Sequence, residues 1–334
     1  MDNKGKLTEI VNQTQCAAGP TIRLGISTCL LGENVRYDGG HKLDRFLART
    51  LGRYVEWVPV CPEVETGMSI PREALRLLGD PEAPRLVTIK TKRDYTDQML
   101  AWARERLDGL VETNLHGFIF KSKSPSSGLY RVKVYTEEGM PSHVGTGIFP
   151  RQVMRRFPLL PLEEEGRLHD MHLRENFIDR VFAYYRWTCL LTENPTPGGL
   201  VAFHTAHKLT LMAHSPTHYQ EMGRLVAQAG SQPWDELTET YGRALMDCLG
   251  VMTTPGKHTN VLQHLMGFLK DDLSKEDKAE LLAYIEDYRQ GLAPLIVPLT
   301  LLTHHLKRHA VPDWVHQQVY LHPYPKELLL RNHV

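Results

Sequence analysis

Hydrophobic and polar residues follow two different periods along this chain, and the change comes near its middle. In the first part three short apolar runs stand out: TIRLGIS at 21–27, YVEWVPV at 54–60 and HGFIF at 116–120. They are short and rich in β-branched and aromatic residues, which predicts buried strands. Residues 44–51 and 94–113 have helical spacing instead, and the second stretch places Tyr95, Met99, Trp102 and Leu110 near one face. Strands alternating with helices predict a covered parallel sheet, an α/β domain of three-layer, Rossmann-like design.

After the acidic run Glu163-Glu164-Glu165-Gly166 the period is helical almost throughout. Helices are expected over 168–191, 200–213, 216–229, 234–252, 261–269, 275–288 and 294–309. Residues 194–199, Asn-Pro-Thr-Pro-Gly-Gly, read as a loop. Ser215 before Pro216 reads as an N-cap with proline at the first helical position, and Ser274 with Asp277 as a capping-box-like start. The composition shifts over 158–166, which sets the expected domains at 21–160 (α/β) and 165–334 (all-α). Residues 1–20 have no strong period, end in Gly19-Pro20 and read as a flexible arm.

The length of 334 residues suits two domains, and 42% hydrophobic with 23% charged content suits a soluble globular chain. No apolar run approaches the roughly 20 residues of a membrane helix. The polar N-terminus lacks the apolar core of a signal peptide, so the expected location is the cytoplasm. Basic and acidic residues balance at 39 each, which excludes a globally basic nucleic-acid binder and leaves local patches open. Five scattered cysteines argue against a disulfide framework and leave thiol chemistry open.

Polar chemistry collects after the three strands. The first is followed by Ser27-Thr28-Cys29-Leu30-Leu31-Gly32 and Val35-Arg36-Tyr37-Asp38-Gly39. The second is followed by Cys61-Pro62-Glu63, then Gly67 and Pro71-Arg72. The third is followed by Lys121-Ser122-Lys123-Ser124-Pro125-Ser126-Ser127-Gly128. In open parallel sheets such loops converge outside the carboxyl ends of the strands, where ligands bind. Singly, each cysteine is equally readable as a small buried hydrophobe, each glycine as a turn residue and Asp38 as a turn stabiliser. Their coincidence at one topological end points to a site.

These motifs, in this order over residues 22–156, resemble the TudS-type thiouracil desulfurases. The resemblance implies a 4Fe–4S cluster held by three cysteines, with one open iron that takes the sulfur of a thiolated pyrimidine, base or nucleoside. Thiolated tRNA is an extension of the same substrate chemistry. Two ligand positions match as Cys29 and Cys61, and the third falls on Ser127. Within this resemblance Glu63 is the candidate proton shuttle, Ser122 and Ser124 orient substrate or water, and Arg36, Lys121 and Lys123 hold the substrate oxygen or an attached phosphate. A serine hydroxyl is harder to deprotonate than a thiol and a harder donor, so the implied cluster is labile or absent here.

In the second half His204, His207 and His214 share a helical stripe, with His218 just beyond, and His304, His305 and His309 form another group. A zinc reading is available, but HExxH is absent and no acidic or cysteine partner has matching spacing, so hydrogen bonding between helices is the expectation. Cys189 and Cys248 read as core and Cys16 is unassigned. Arg174-Glu175-Asn176-Phe177, His204-x-x-His207-Lys208, Ala213-His214-Ser215-Pro216, Lys257-His258-Thr259-Asn260 and Leu330-Arg331-Asn332 resemble the YbgA-like helical domain, which implies architecture and no activity. Two readings follow: a cluster-dependent desulfurase that turns 2-thiouracil into uracil and sulfide, or a cluster-free module that binds a nucleotide or RNA. Oligomeric state is not encoded in these patterns.

Overall fold

A computed structural model describes residues 21–334, and the expected arm and Cys16 lie outside the described residues. The described chain divides into two compact units, Thr21–His169 and Asp170–Val334.

The first unit carries strands β1 Arg23–Ser27, β2 Glu56–Val60, β3 Leu75–Leu78, β4 Arg85–Thr88, β5 Gly117–Phe120, β6 Val132–Tyr135, β7 Pro141–Gly145 and β8 Leu162–Glu164. Its helices are α1 Pro62–Glu65, α2 Thr96–Glu112 and α3 Ile148–Arg156. One sheet runs β2-β1-β5-β8, all parallel, with Ile26 of β1 registered between Pro59 and Ile119. The apolar runs predict this because both faces of a central parallel strand are covered. Leu24, Ile26, Ile119 and Phe120 are fully buried. Gly25 is fixed by packing: a Cβ there would lie 2.1 Å from the Phe118 ring, which stacks on Phe120 at 4.2 Å.

A second sheet, β4-β3-β6-β7, has no counterpart among the expected elements. Its β3–β6 pair is parallel, and β4 and β7 close it with antiparallel edges. The strands are short and broken by Arg76, Lys133 and His143, so no single segment shows a period. Burial of Leu77, Leu86, Val132 and Val134 against Met99 and Ile148 makes them strands. The acidic run, expected to lie between elements, instead ends β8, with Glu163, Glu164 and Glu165 all buried.

The second unit is helical: α4 Met171–Glu193, α5 Pro197–His214, α6 Pro216–Ala227, α7 Trp234–Gly250, α8 Pro255–Gly267, α9 Lys275–Arg289, α10 Ile296–Arg308 and α11 Asp313–His316. Part of the expected 194–199 loop belongs to α5, because Thr196 caps the helix by accepting from the Gly199 N–H and Pro197 fits the first turn. Ser215 and Ser274 cap α6 and α9 through their hydroxyls. Helix α5 contributes to two apolar cores. Leu200, Phe203 and Leu211 pack with Trp187 and Tyr241, while Leu209 and Ala213 pack with Leu262, Leu281 and Tyr320. A helix enclosed on several sides buries its polar positions too, and the histidine stripe therefore lies inside.

Burial holds several histidines neutral. His116 is pushed down to about 4 by burial and Arg23, and His204 to about 4 by burial and Lys208. His207 and His258 fall to about 3, by burial and then by Arg186 and Arg331 respectively. Unfolded histidine titrates near 6.5. The unfolded chain therefore binds more protons below that value, so the contribution is complete above about pH 6.5 and is lost as the pH falls toward 4. The urea midpoint is expected to be lower at pH 5.5 than at pH 7.5; equal midpoints would show that these rings are not held neutral.

Candidate functional site

Three strand ends build the site. Strand β1 stops at Ser27 and the chain turns through Cys29 to Gly32, whose φ of 98° lies in the left-handed region that favours glycine. Strand β2 ends at Val60, Cys61 follows, and Pro62 opens α1. Strand β5 ends at Phe120 and runs into the serine loop, with the Lys121 N–H donating to Ser27 Oγ at 2.9 Å. β1 has β2 on one side and β5 on the other, so the chain reverses its progress across the sheet there, and ligand crevices form at such a point.

A cavity of about 450 Å3 opens at these ends. The sequence-predicted residues Cys29, Cys61 and Ser127, with Glu63, Ser122, Ser124, Arg36, Lys121 and Lys123, all line it. Glu63 is the junction. Its carboxyl group accepts a short hydrogen bond from Ser126 Oγ, lies 3.6 Å from Cys61 Sγ and lies 3.9 Å from Arg72 Nη2. Ser126 Oγ is also 2.9 Å from Ser124 Oγ and 3.4 Å from Ser127 Oγ. One hydrogen-bonded chain thus ties the loop after β2 to the loop after β5. Arg36 pairs with Asp38, whose carboxyl group accepts the Gly40 N–H and is held below its ordinary value by that bond and by Arg36.

Cys29 and Cys61 are free thiols. Burial pushes Cys29 up to about 11, with Lys121 pulling down and Glu63 adding to the rise. Burial, then Glu63, pushes Cys61 up to about 12. Iron–sulfur clusters are held by thiolates, and the implied set of three is here two thiols and the Ser127 hydroxyl. Among the described residues no three His, Cys, Asp or Glu side chains form a group able to hold a metal ion. The residues present do not fit a cluster with three cysteine ligands.

Sequence reasoning missed four contributors. Ser126, fully buried, and Arg72 hold Glu63. Glu164 accepts the Leu129 and Tyr130 N–H groups at 2.7 and 3.0 Å. Glu165 accepts the Ser122 N–H at 2.7 Å and its hydroxyl at 2.9 Å, and it pairs with Lys121 at short range. Ser122 and Lys121 are therefore engaged by Glu165 rather than turned freely to a ligand. Ser126 and Arg72 sat inside quoted motifs, but the two glutamates gave no signal beyond being acidic and next to the sheet.

The helical unit carries its own buried polar group. Asp179 Oδ2 faces His214 Nε2 at 3.2 Å, Tyr324 donates to Glu175 at 2.7 Å, and His258 Nδ1 meets the Tyr320 hydroxyl at 2.8 Å. Despite burial, the His214 contact and nearby cations hold Asp179 below its ordinary value, while burial and Asp179 raise Glu175. His204 and His207 also bond within the unit, to Tyr241 and to the Phe203 carbonyl.

Replacing Glu165 by alanine strands the Ser122 N–H and the Lys121 charge. A loss of about 2–3 kcal/mol is expected in urea unfolding, with a smaller loss for Glu165→Gln, which keeps an acceptor. Equal stability of Glu165→Ala and the parent chain would show that the loop is held by other contacts.

Comparison with known proteins bears on both units. Residues 24–165 match the family described as 2-thiouracil desulfurase, and residues 208–325 match a protein family of unknown function, DUF1722. The chain is 31% identical over 155 residues to the uncharacterized protein YbgA of Escherichia coli (strain K12), covering 46% of this chain and 90% of that protein. It is 31% identical over 108 residues to the uncharacterized protein YbbK of Bacillus subtilis (strain 168), covering 31% of this chain and 71% of that protein. Among solved structures, a 4Fe–4S-dependent thiouracil desulfidase, TudS, is 27% identical, covers 46% of this chain and 98% of its own, and superposes with a TM-score of 0.38. The chain therefore belongs to the 2-thiouracil desulfurase family through its α/β unit, joined to a YbgA-like DUF1722 unit.

Proposed function

We propose that the cavity at the β1, β2 and β5 ends binds a thiolated pyrimidine and exchanges its sulfur for oxygen, and that Ser127 holds this chain well below the rate its fold allows. The observation that carries this reading is the convergence of Cys29, Cys61, Ser127 and Glu63 on one cavity within a domain of the desulfurase family. The exchange consumes water: the thiocarbonyl carbon gains an oxygen and releases sulfide, giving uracil from 2-thiouracil. In this reading Glu63 takes the proton of the attacking water, a role supported by the contacts of its carboxyl group with Cys61 and with the serine loop. Ser124 and Ser126 orient that carboxyl, and Arg36 and Lys123 face the cavity where a carbonyl oxygen or a phosphate would be recognised. Lys121 and Ser122, held by Glu165, shape the wall. The substrate class spans the free base, the nucleoside and a thiolated tRNA, with a location in the cytoplasm.

A second reading, a cluster-free nucleotide- or RNA-binding module, is favoured by one observation, the hydroxyl at residue 127. Sulfide release from 2-thiouracil separates the two. After anaerobic reconstitution with iron and sulfide, Ser127→Cys is expected to hold iron and acid-labile sulfide and to release sulfide at least tenfold faster than the parent chain. Adding Glu63→Gln to Ser127→Cys is expected to lower that rate about 100-fold or more. No release by Ser127→Cys, although it carries iron, would overturn the enzyme reading.

A further inference from the structure

The C-terminal segment of the helical unit folds against α10 and leaves a concavity of about 390 Å3. Its basic side chains come from three places: Lys307 on α10, with His304 one turn before it, His322 after Tyr320, and Lys326 with Arg331 near the end of the chain. No Asp or Glu lines it. Leu299, Leu321 and Leu330 supply an apolar wall. Like charges gather at one spot only at an electrostatic cost, and a cavity without a lining acid leaves that cost for a ligand to relieve.

Arg331 forms the base and is fixed in place. It is buried, donates to the Tyr320 carbonyl at 2.6 Å, and lies 4.9 and 5.9 Å from the Tyr320 and Tyr324 rings. Its Nε is 3.9 Å from Glu175, so its charge is partly balanced, while Lys307 and Lys326 bring two more to the lining of the same cavity. His322 reports the convergence, since desolvation and then Lys307, Arg331 and Lys326 all press it toward its neutral form. The rim adds a second sign. Leu329 has φ 55°, a left-handed conformation that a leucine rarely adopts, and its side chain is 56% exposed beside the cavity. Backbone held in such a region gathers at ligand sites.

We propose that this concavity binds a small phosphate monoester carrying a flat or apolar body, with the phosphate on Lys307, Lys326 and Arg331 and the body against the leucine wall. A preformed guanidinium with two lysines matches a doubly charged, compact headgroup, and the volume is that of a small-molecule site. A mononucleotide belongs to this class. An internal phosphodiester of RNA carries one charge and no free end, and it suits an open basic stripe better than a cavity with a buried base.

Calorimetric titration of the full chain with uridine monophosphate, uridine and inorganic phosphate tests the assignment. The monophosphate is expected to bind at least tenfold more tightly than either of its parts. Lys307→Gln with Lys326→Gln, two exposed positions, is expected to weaken it tenfold or more with an unchanged far-ultraviolet spectrum. No binding of the monophosphate at millimolar concentration, or binding that the lysine pair does not alter, would overturn the proposal. So would binding of a 5′-hydroxyl oligoribonucleotide that depends on the two lysines and that the monophosphate fails to displace.

Discussion

Two adjacent buried carboxyl groups at the end of β8 hold the serine loop at both ends, and the cavity depends on them. Glu165 takes the Ser122 and Lys121 end, while Glu164 takes the Leu129 and Tyr130 end. Burying carboxylates is costly unless each finds donors, and burial does raise Glu164 above its ordinary value. Here the donors are the N–H groups of the loop itself, so the loop satisfies the strand and the strand fixes the loop. Ser124, Ser126 and Ser127 then have little freedom, and Ser126 delivers its hydrogen bond to Glu63 across the crevice.

That arrangement does not depend on a thiol at residue 127. Loop anchoring, the Glu63–Ser126–Ser124 chain and the Arg72 contact all exist with a serine at residue 127. The Ser127 hydroxyl is buried beside Ser126, at the position where the resemblance implies a third thiol. It does not fit chemically, because an alcohol gives up its proton far less readily and binds iron less well than a thiol. The donor set present is thus one thiol short of the three that the resemblance implies.

The helical unit shows the same economy in another form. Its motif residues, Glu175, His207, His214, His258 and Arg331, are buried and bond to tyrosine hydroxyls, to Asp179 or to backbone carbonyls. The histidine stripe left a zinc reading available with hydrogen bonding as the expectation, and His204, His207 and His214 bond to a tyrosine, to a carbonyl, and to a carboxylate with a carbonyl, respectively. The same Arg331 that closes this polar belt also lines the cavity at the C-terminal segment.

The sequence by itself determined three of the four strands of the parallel sheet, the long helices, and the loops that carry Cys29, Cys61, Glu63 and Lys121 to Ser127. Those features depend on near neighbours: apolar runs, helical spacing, a capping serine before a proline, and motifs set at strand ends. Only the tertiary structure decided the second sheet, the burial of Glu163 to Glu165, and the roles of Arg72 and Ser126. Short strands such as β3 and β6 acquire their identity from each other across a long sequence separation, and a buried carboxylate looks like a surface one until its donors arrive from elsewhere. Local periodicity records which face of an element is dry, whereas it holds no record of which distant side chain will satisfy a buried charge.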